Sequence, residues 1–161
     1  MPDTLFSLRP EAPLDDDFLV KLFRSTRDDL LHIGLPEPML DNLIAMQFRA
    51  QQNGHRQQYP EGNFCIVEAA GEPVGSLAVC RGTAGIRLIN IALRPEARGN
   101  GLGSRLIRAL QAEATASAKP LTLSVSTQNI GAQRLYAKLG FTAVSNNGAY
   151  QEMAWPAPEN A

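Results

Sequence analysis

The order of apolar patterns predicts an α/β fold: one mixed sheet, mostly antiparallel with a single parallel step in its middle, flanked by about four helices. Three observations predict it. The apolar period changes from helical to strand-like near residue 63, and three strand patterns follow in succession. Strand, glycine-punctuated turn, helix and strand then occupy residues 86–126. A helical crossover between two strands of one sheet makes them parallel. Finally, two strand patterns flank Asn146-Asn147-Gly148, the signature of an antiparallel hairpin.

Taken in order, residues 4–8 (TLFSL) alternate and end at Arg9-Pro10, a first strand. Pro13 and the run Asp15-Asp16-Asp17 open a helix, with carboxylates where the N-terminal dipole favours them. Leu14, Phe18, Leu19, Leu22 and Phe23 form its apolar stripe. Residues 30–38 (LLHIGLPEP), with one glycine and two prolines, are expected to be a loop. A second helix carries Leu40, Leu43, Ile44, Gln47 and Phe48 on one side and is expected to break near Asn53-Gly54. The Gln- and Arg-rich stretch 48–59 then reads as a solvated helix end.

Residues 64–68 and 74–80 form a hairpin around Ala70-Gly71-Glu72-Pro73, and residues 81–85 turn the chain into a strand at 86–93. The next helix shows Leu102, Leu106, Ile107, Leu110 and Ala114 and ends before Lys119-Pro120. Residues 121–126 (LTLSVS) are a strand, and residues 130–139 a helix closed by Gly140. Residues 141–144 and 149–154 complete the last hairpin. Residues 1–155 are expected to form a single domain, and residues 156–161 a short tail.

Composition narrows the function classes. At 161 residues the chain is long enough to bury a core without disulfide or metal support, and 44% of it is apolar. The net charge of −1 carries no electrostatic footprint for nucleic acid or an anionic membrane. No apolar run approaches a membrane span, and the N-terminus lacks a basic-then-apolar leader pattern, so a cytoplasmic protein is expected. Cys65 and Cys80 lie in apolar strand-like stretches and are expected to be reduced, buried thiols. His32 and His55 lack any metal-ligand spacing, so no metal is expected.

The glycine turn Arg98-Gly99-Asn100-Gly101-Leu102-Gly103-Ser104 is the chemically distinctive stretch. A strand running through such a turn into a helix aims main-chain N–H groups, backed by the helix dipole, at one point. That suits a phosphate. A nucleotide P-loop would need Lys and Ser/Thr after its last glycine, whereas Gly103 is followed by Ser104-Arg105. A dinucleotide fingerprint needs a different glycine spacing and an acidic residue ending the next strand, which here holds Ser124, Ser126 and Thr127.

Arg98-x-x-Gly101-x-Gly103 after a strand ending Leu93-Arg94-Pro95-Glu96 resembles the acyl-CoA-binding motif of the GNAT superfamily of N-acetyltransferases. The resemblance continues in Asn129-Ile130-Gly131-Ala132-Gln133-Arg134-Leu135-Tyr136-Ala137-Lys138-Leu139-Gly140-Phe141, similar to the family's late signature. It implies that acetyl-CoA is the acyl donor and that an amine of a small molecule or peptide is the acceptor. The backbone of Gly99, Asn100, Gly101, Leu102, Gly103 and Ser104 would cradle the pyrophosphate, with the charge of Arg98 adding to it. Main-chain groups of Ile91 and Leu93 would meet the pantetheine arm, an N–H near Leu93 would hold the oxyanion, and Asn129 would contact the cofactor. Tyr136 would protonate the departing thiolate; by periodicity alone it is a core aromatic. Asn90 stands where many relatives carry an acid, and an amide cannot act as base, so Asn90 is left to orient water or substrate. Glu61, Glu68, His55 or water then remain as alternatives for the base. A homodimer is compatible with this reading. A non-catalytic acyl-CoA-binding sensor is the competing one.

Overall fold

The computed structural model describes residues 6–156. Seven strands form one sheet in the order β1-β2-β3-β4-β5-β7-β6. They are β1 (Phe6–Pro10), β2 (Asn63–Ala69), β3 (Glu72–Arg81), β4 (Ile86–Leu93), β5 (Leu121–Ser126), β6 (Thr142–Asn146) and β7 (Tyr150–Trp155). The helices are α1 (Asp16–Arg24), α2 (Asp28–Leu31), α3 (Glu37–Gln58), α4 (Leu102–Ser117) and α5 (Ile130–Lys138). Among the described residues only β4 and β5 pair in parallel, as expected of strands joined by a helix. Their register covers Ile86–Leu88 against Leu121–Leu123, and both strands run on beyond it. Residues 4 and 5 of the expected first strand, and residues 157–161 of the tail, lie outside the described residues.

Two expectations need correction. The segment 30–38 is not wholly a loop, because a short helix, α2, forms over Asp28–Leu31 with Leu30 buried. Nor does the second helix break: α3 runs 22 residues straight through Asn53-Gly54. A helical glycine costs about 1 kcal/mol relative to alanine. The turn beyond it makes contacts that a sequence window does not show. The Arg56 guanidinium lies 4.3 Å from the centre of the Phe64 ring and donates to Glu11 Oε2 at 2.7 Å.

The described residues pack as two compact units, the first within residues 1–78 with 90–98 and the second within residues 79–89 with 99–161. In the first, Leu19, Leu22 and Phe23 of α1 and Leu40, Ile44 and Phe48 of α3 share a buried cluster with Ile66 of β2. Phe23 and Phe48 meet with ring centroids 5.7 Å apart. In the second, Leu106, Ile107, Leu110 and Ala114 of α4 are buried, as are Leu121, Leu123 and Val125 of β5. The expected apolar stripes are the observed core faces except at Leu14, which lies in a short 3-10 turn (Pro13–Asp15) before α1 and is 97% exposed. Cys65 and Cys80 are not joined in a disulfide, and both are half-buried rather than fully buried as expected. No described helix is long and apolar enough to cross a membrane.

Arg9 of β1 ties the first unit's entry together. Its Nε donates to Glu68 Oε2 at 2.9 Å, and its two terminal nitrogens donate to the Asp15 carboxylate at 2.8 Å each. Asp15 is buried and also accepts the Ala12 N–H at 2.8 Å. The Arg9 fork, with the Ala12 bond, outweighs burial and holds the Asp15 carboxyl below the usual carboxylate range. A lowered acid pKa stabilises the fold above the unfolded value of about 3.9 and loses that contribution as pH falls through the folded value. Asp15→Asn is therefore expected to lower the melting temperature at neutral pH by about 5 °C. It should also flatten the decline below about pH 4. Thermal melts from pH 2 to 7 check this, and parallel curves for the two proteins would refute it.

Candidate active site

The turn after β4 is built on two left-handed glycines. Gly99 has φ +82° and Gly101 has φ +84°, a region that other residues enter at a cost. No atom lies within 4 Å of where a Cβ would stand on either, so conformation, not crowding, calls for glycine there. Gly101 is the N-cap of α4, and the Arg105 N–H donates to its carbonyl at 3.0 Å. The Leu102 N–H is taken by Asn100 Oδ1 at 3.3 Å, while the Leu102 side chain is buried and anchors the turn. Gly103 and Ser104 follow in the first turn, where N–H groups have no intrahelical acceptor. Asn100 thus shapes the turn, and the main-chain N–H groups of Gly103 and Ser104 are left without intrahelical acceptors.

Asn129 caps α5, accepting the Ala132 N–H on Oδ1 at 3.1 Å. Gln133 donates to the Ser126 and Thr127 carbonyls at 3.1 and 2.9 Å, fastening the same helix to the end of β5. At the other end, the Phe141 N–H reaches the Tyr136 carbonyl at 3.0 Å and the Gly140 N–H reaches Ala137 at 3.0 Å. With Gly140 at φ +98°, this is a Schellman closure. Its accompanying apolar contact is Phe141 on Tyr136, ring centroids 5.7 Å apart. The Leu-Gly-Phe end of the late signature therefore fixes the carbonyl and ring of Tyr136. Tyr136 is 7% exposed, and burial pushes its hydroxyl pKa up, which keeps the proton on it. Gln111, a buried polar residue of α4, donates to the Leu139 carbonyl at 2.8 Å and ties α4 to the end of α5. Nothing in its helical pattern distinguished it.

The first unit holds the other candidates. Asn90, Ile91 and Leu93 are half-buried on β4, beyond its parallel register. A Cβ on Gly75 of β3 would stand 2.4 Å from the Ala92 carbonyl oxygen and 3.3 Å from Leu93 Cα, so β4 crosses Gly75 in direct backbone contact. A lone glycine inside a strand pattern is the sequence signal for such an approach. The Arg94 N–H donates to the Val74 carbonyl at 2.8 Å. Arg98 turns its side chain inward to its own unit, Nε donating to the Leu93 carbonyl at 2.8 Å and Nη2 to Ser25 Oγ at 3.1 Å.

Among the candidates for a base, Glu68 is held in its ion pair with Arg9, while Glu61 is exposed. His55 is half-buried on α3, where burial lowers its pKa and so disfavours its protonated form. Among the described residues no cluster of three His, Cys, Asp or Glu gathers that could hold a metal ion.

The description of the acetyltransferase (GNAT) family matches residues 27–141. A Bacillus subtilis (strain 168) protein described as a candidate [ribosomal protein bS18]-alanine N-acetyltransferase is 33% identical over 82 residues, 50% of this chain. The match spans about half of that relative, 54% of its length. The crystal structure of the PaiA N-acetyltransferase from Thermoplasma acidophilum in complex with coenzyme A superposes with a TM-score of 0.70 at 18% identity. That likeness covers 96% of this chain and 99% of the other. An acetyltransferase from Thermus thermophilus gives 0.68 at 22% identity, over 95% and 98%. At such identities the likeness is one of fold. The family match spans the glycine turn, the capped helix and its tyrosine together. The chain belongs to the GNAT family of acetyltransferases.

Proposed function

We propose that the protein transfers an acetyl group from acetyl-CoA directly to an amine of a small molecule or peptide. The observation that carries this reading is the turn 99–104: two left-handed glycines with open space above them, leading into the N-terminus of a 16-residue helix. An anion seated there meets main-chain N–H groups and the positive end of the helix dipole. The pyrophosphate of CoA is the anion that the family's chemistry supplies, and main-chain groups of Ile91 would meet its pantetheine arm, the Leu93 carbonyl being taken by Arg98.

In the reaction a neutral amine attacks the thioester carbonyl carbon, forming the new C–N bond. The tetrahedral oxyanion is held by the Leu93 N–H. The C–S bond then breaks, and the thiolate takes the hydroxyl proton of Tyr136, kept on the tyrosine by burial until that step. The nitrogen gives its proton to water or to one of the candidate bases Glu61, Glu68 and His55. No covalent enzyme intermediate is needed. Tyr136 loses nothing by being a core aromatic as well.

The test is acetyl-CoA titration followed by thiol release over a panel of amines. The panel includes a peptide with N-terminal alanine, because the curated relative's description concerns alanine. Saturable binding with thiol release on one class of amine is expected. Asn90 in place of an acid favours the second reading, a sensor, and tight binding without release across the panel would select it. Absence of binding would refute both.

A further inference from the structure

We propose that Ser25 and Arg98 are positioning residues, a clamp that fixes the direction of the last main-chain groups of β4 for acyl transfer; this rests on the function proposed above. Leu93 C=O and Arg94 N–H belong to one peptide group. Its N–H is held by the Val74 carbonyl of β3 at 2.8 Å and its C=O by Arg98 Nε at 2.8 Å. A trans peptide points these two groups in opposite directions, so the Leu93 carbonyl faces away from β3. The preceding peptide gives the same orientation independently. The Ala92 carbonyl oxygen stands against Gly75 of β3, and the Leu93 N–H, its trans partner, therefore also faces away from β3.

On that side, then, Leu93 offers one donor and one acceptor. Arg98 occupies the acceptor. What remains is the donor, beside a fixed positive charge, which is the polarity that a developing oxyanion requires. Left without a partner, the same carbonyl would repel that oxygen.

The arginine is itself aimed. Ser25 Oγ, at the C-cap of α1, donates its hydrogen to the Leu22 carbonyl at 2.6 Å. Its lone pairs are left to accept Arg98 Nη2 at 3.1 Å. The guanidinium fork reaches Leu93 and Ser25 at once, which a lysine cannot reproduce. The glycine motif brought Arg98 to notice as a phosphate contact. The hydrogen bonds assign its side chain to the strand instead.

Steady-state kinetics and acetyl-CoA titration on wild type, Ser25→Ala, Arg98→Lys, Arg98→Met and Ser25→Ala/Arg98→Met test this, using whichever amine wild type acetylates. Arg98→Met is expected to lower kcat about tenfold with acetyl-CoA Kd changed less than about threefold. Ser25→Ala should cost about threefold in kcat alone and nothing further in the Arg98→Met background. Arg98→Lys, which keeps a charged donor but not the planar fork, should recover part of the loss and serves where the methionine variant fails to fold. A rise in Kd with a shallower salt dependence for Arg98→Met, relieved in Arg98→Lys, and Ser25→Ala unchanged, would make Arg98 a phosphate ligand and overturn the clamp. Unchanged kcat in every variant would also overturn it. Both outcomes presuppose an active wild type, whereas wild type that binds acetyl-CoA without releasing thiol refutes the function on which the clamp rests.

Discussion

Tyr136→Phe is expected to lower kcat about a hundredfold while leaving acetyl-CoA affinity within about twofold of wild type. The first figure is the low end of what a positioned general acid contributes. The second follows from how the residue is held. Its ring packs on Phe141, its carbonyl accepts the Phe141 N–H, and its helix is capped by Asn129. None of these contacts involves the hydroxyl, so phenylalanine keeps the packing and removes only the O–H group that supplies the proton. Stability should stay close to wild type for the same reason. Rapid-mixing measurements of thiol release, with the acyl-transfer step shown to be rate-limiting, make the comparison meaningful. An unchanged rate under those conditions would return Tyr136 to the core. The raised hydroxyl pKa adds a second expectation: alkaline loss of activity from this group lies above the ordinary tyrosine range near 10.

What was legible in the sequence divides along physical lines. Elements specified by their own residues were legible: β4 and β5 occupy the expected residues, and α5 ends at the glycine that closes it. The glycine turn was legible because a left-handed φ leaves its mark on residue type. Contacts between segments distant in sequence were not. The continuation of α3 past Gly54 is accompanied by a pairing of Arg56 with Glu11, 45 residues away. The hold of Arg98 on Ser25 spans 73 residues. Asp15 showed the same limit. Its placement at a helix start was expected from the dipole, yet its carboxylate is taken by Arg9 and the Ala12 N–H. Charge type and position were readable, and the partner was not.

Gly75→Ala is expected to cost about 3 kcal/mol of stability, the upper end for overpacking a tight site, and to lower activity beyond what the stability loss explains. The added methyl carbon would stand 2.4 Å from the Ala92 oxygen and 2.7 Å from Leu93 Cδ2. A side chain can swing aside, but a carbonyl oxygen moves only with its strand. Here the strand is also held at Arg94 by Val74 and at Leu93 by Arg98. Relief therefore means breaking one of those bonds or tilting the Ala92–Leu93 peptide, whose N–H is the proposed oxyanion donor. The expected signature is a fall in melting temperature with a fall in kcat measured well below that temperature. Gly54→Ala supplies the contrast, because nothing lies within 4 Å of its Cβ position and it sits within α3. That substitution should raise stability by up to about 1 kcal/mol and leave kcat alone. A Gly75→Ala protein as stable and active as wild type would mean that β4 does not cross β3 in backbone contact, and the orientation deduced for Leu93 would lose one of its two supports.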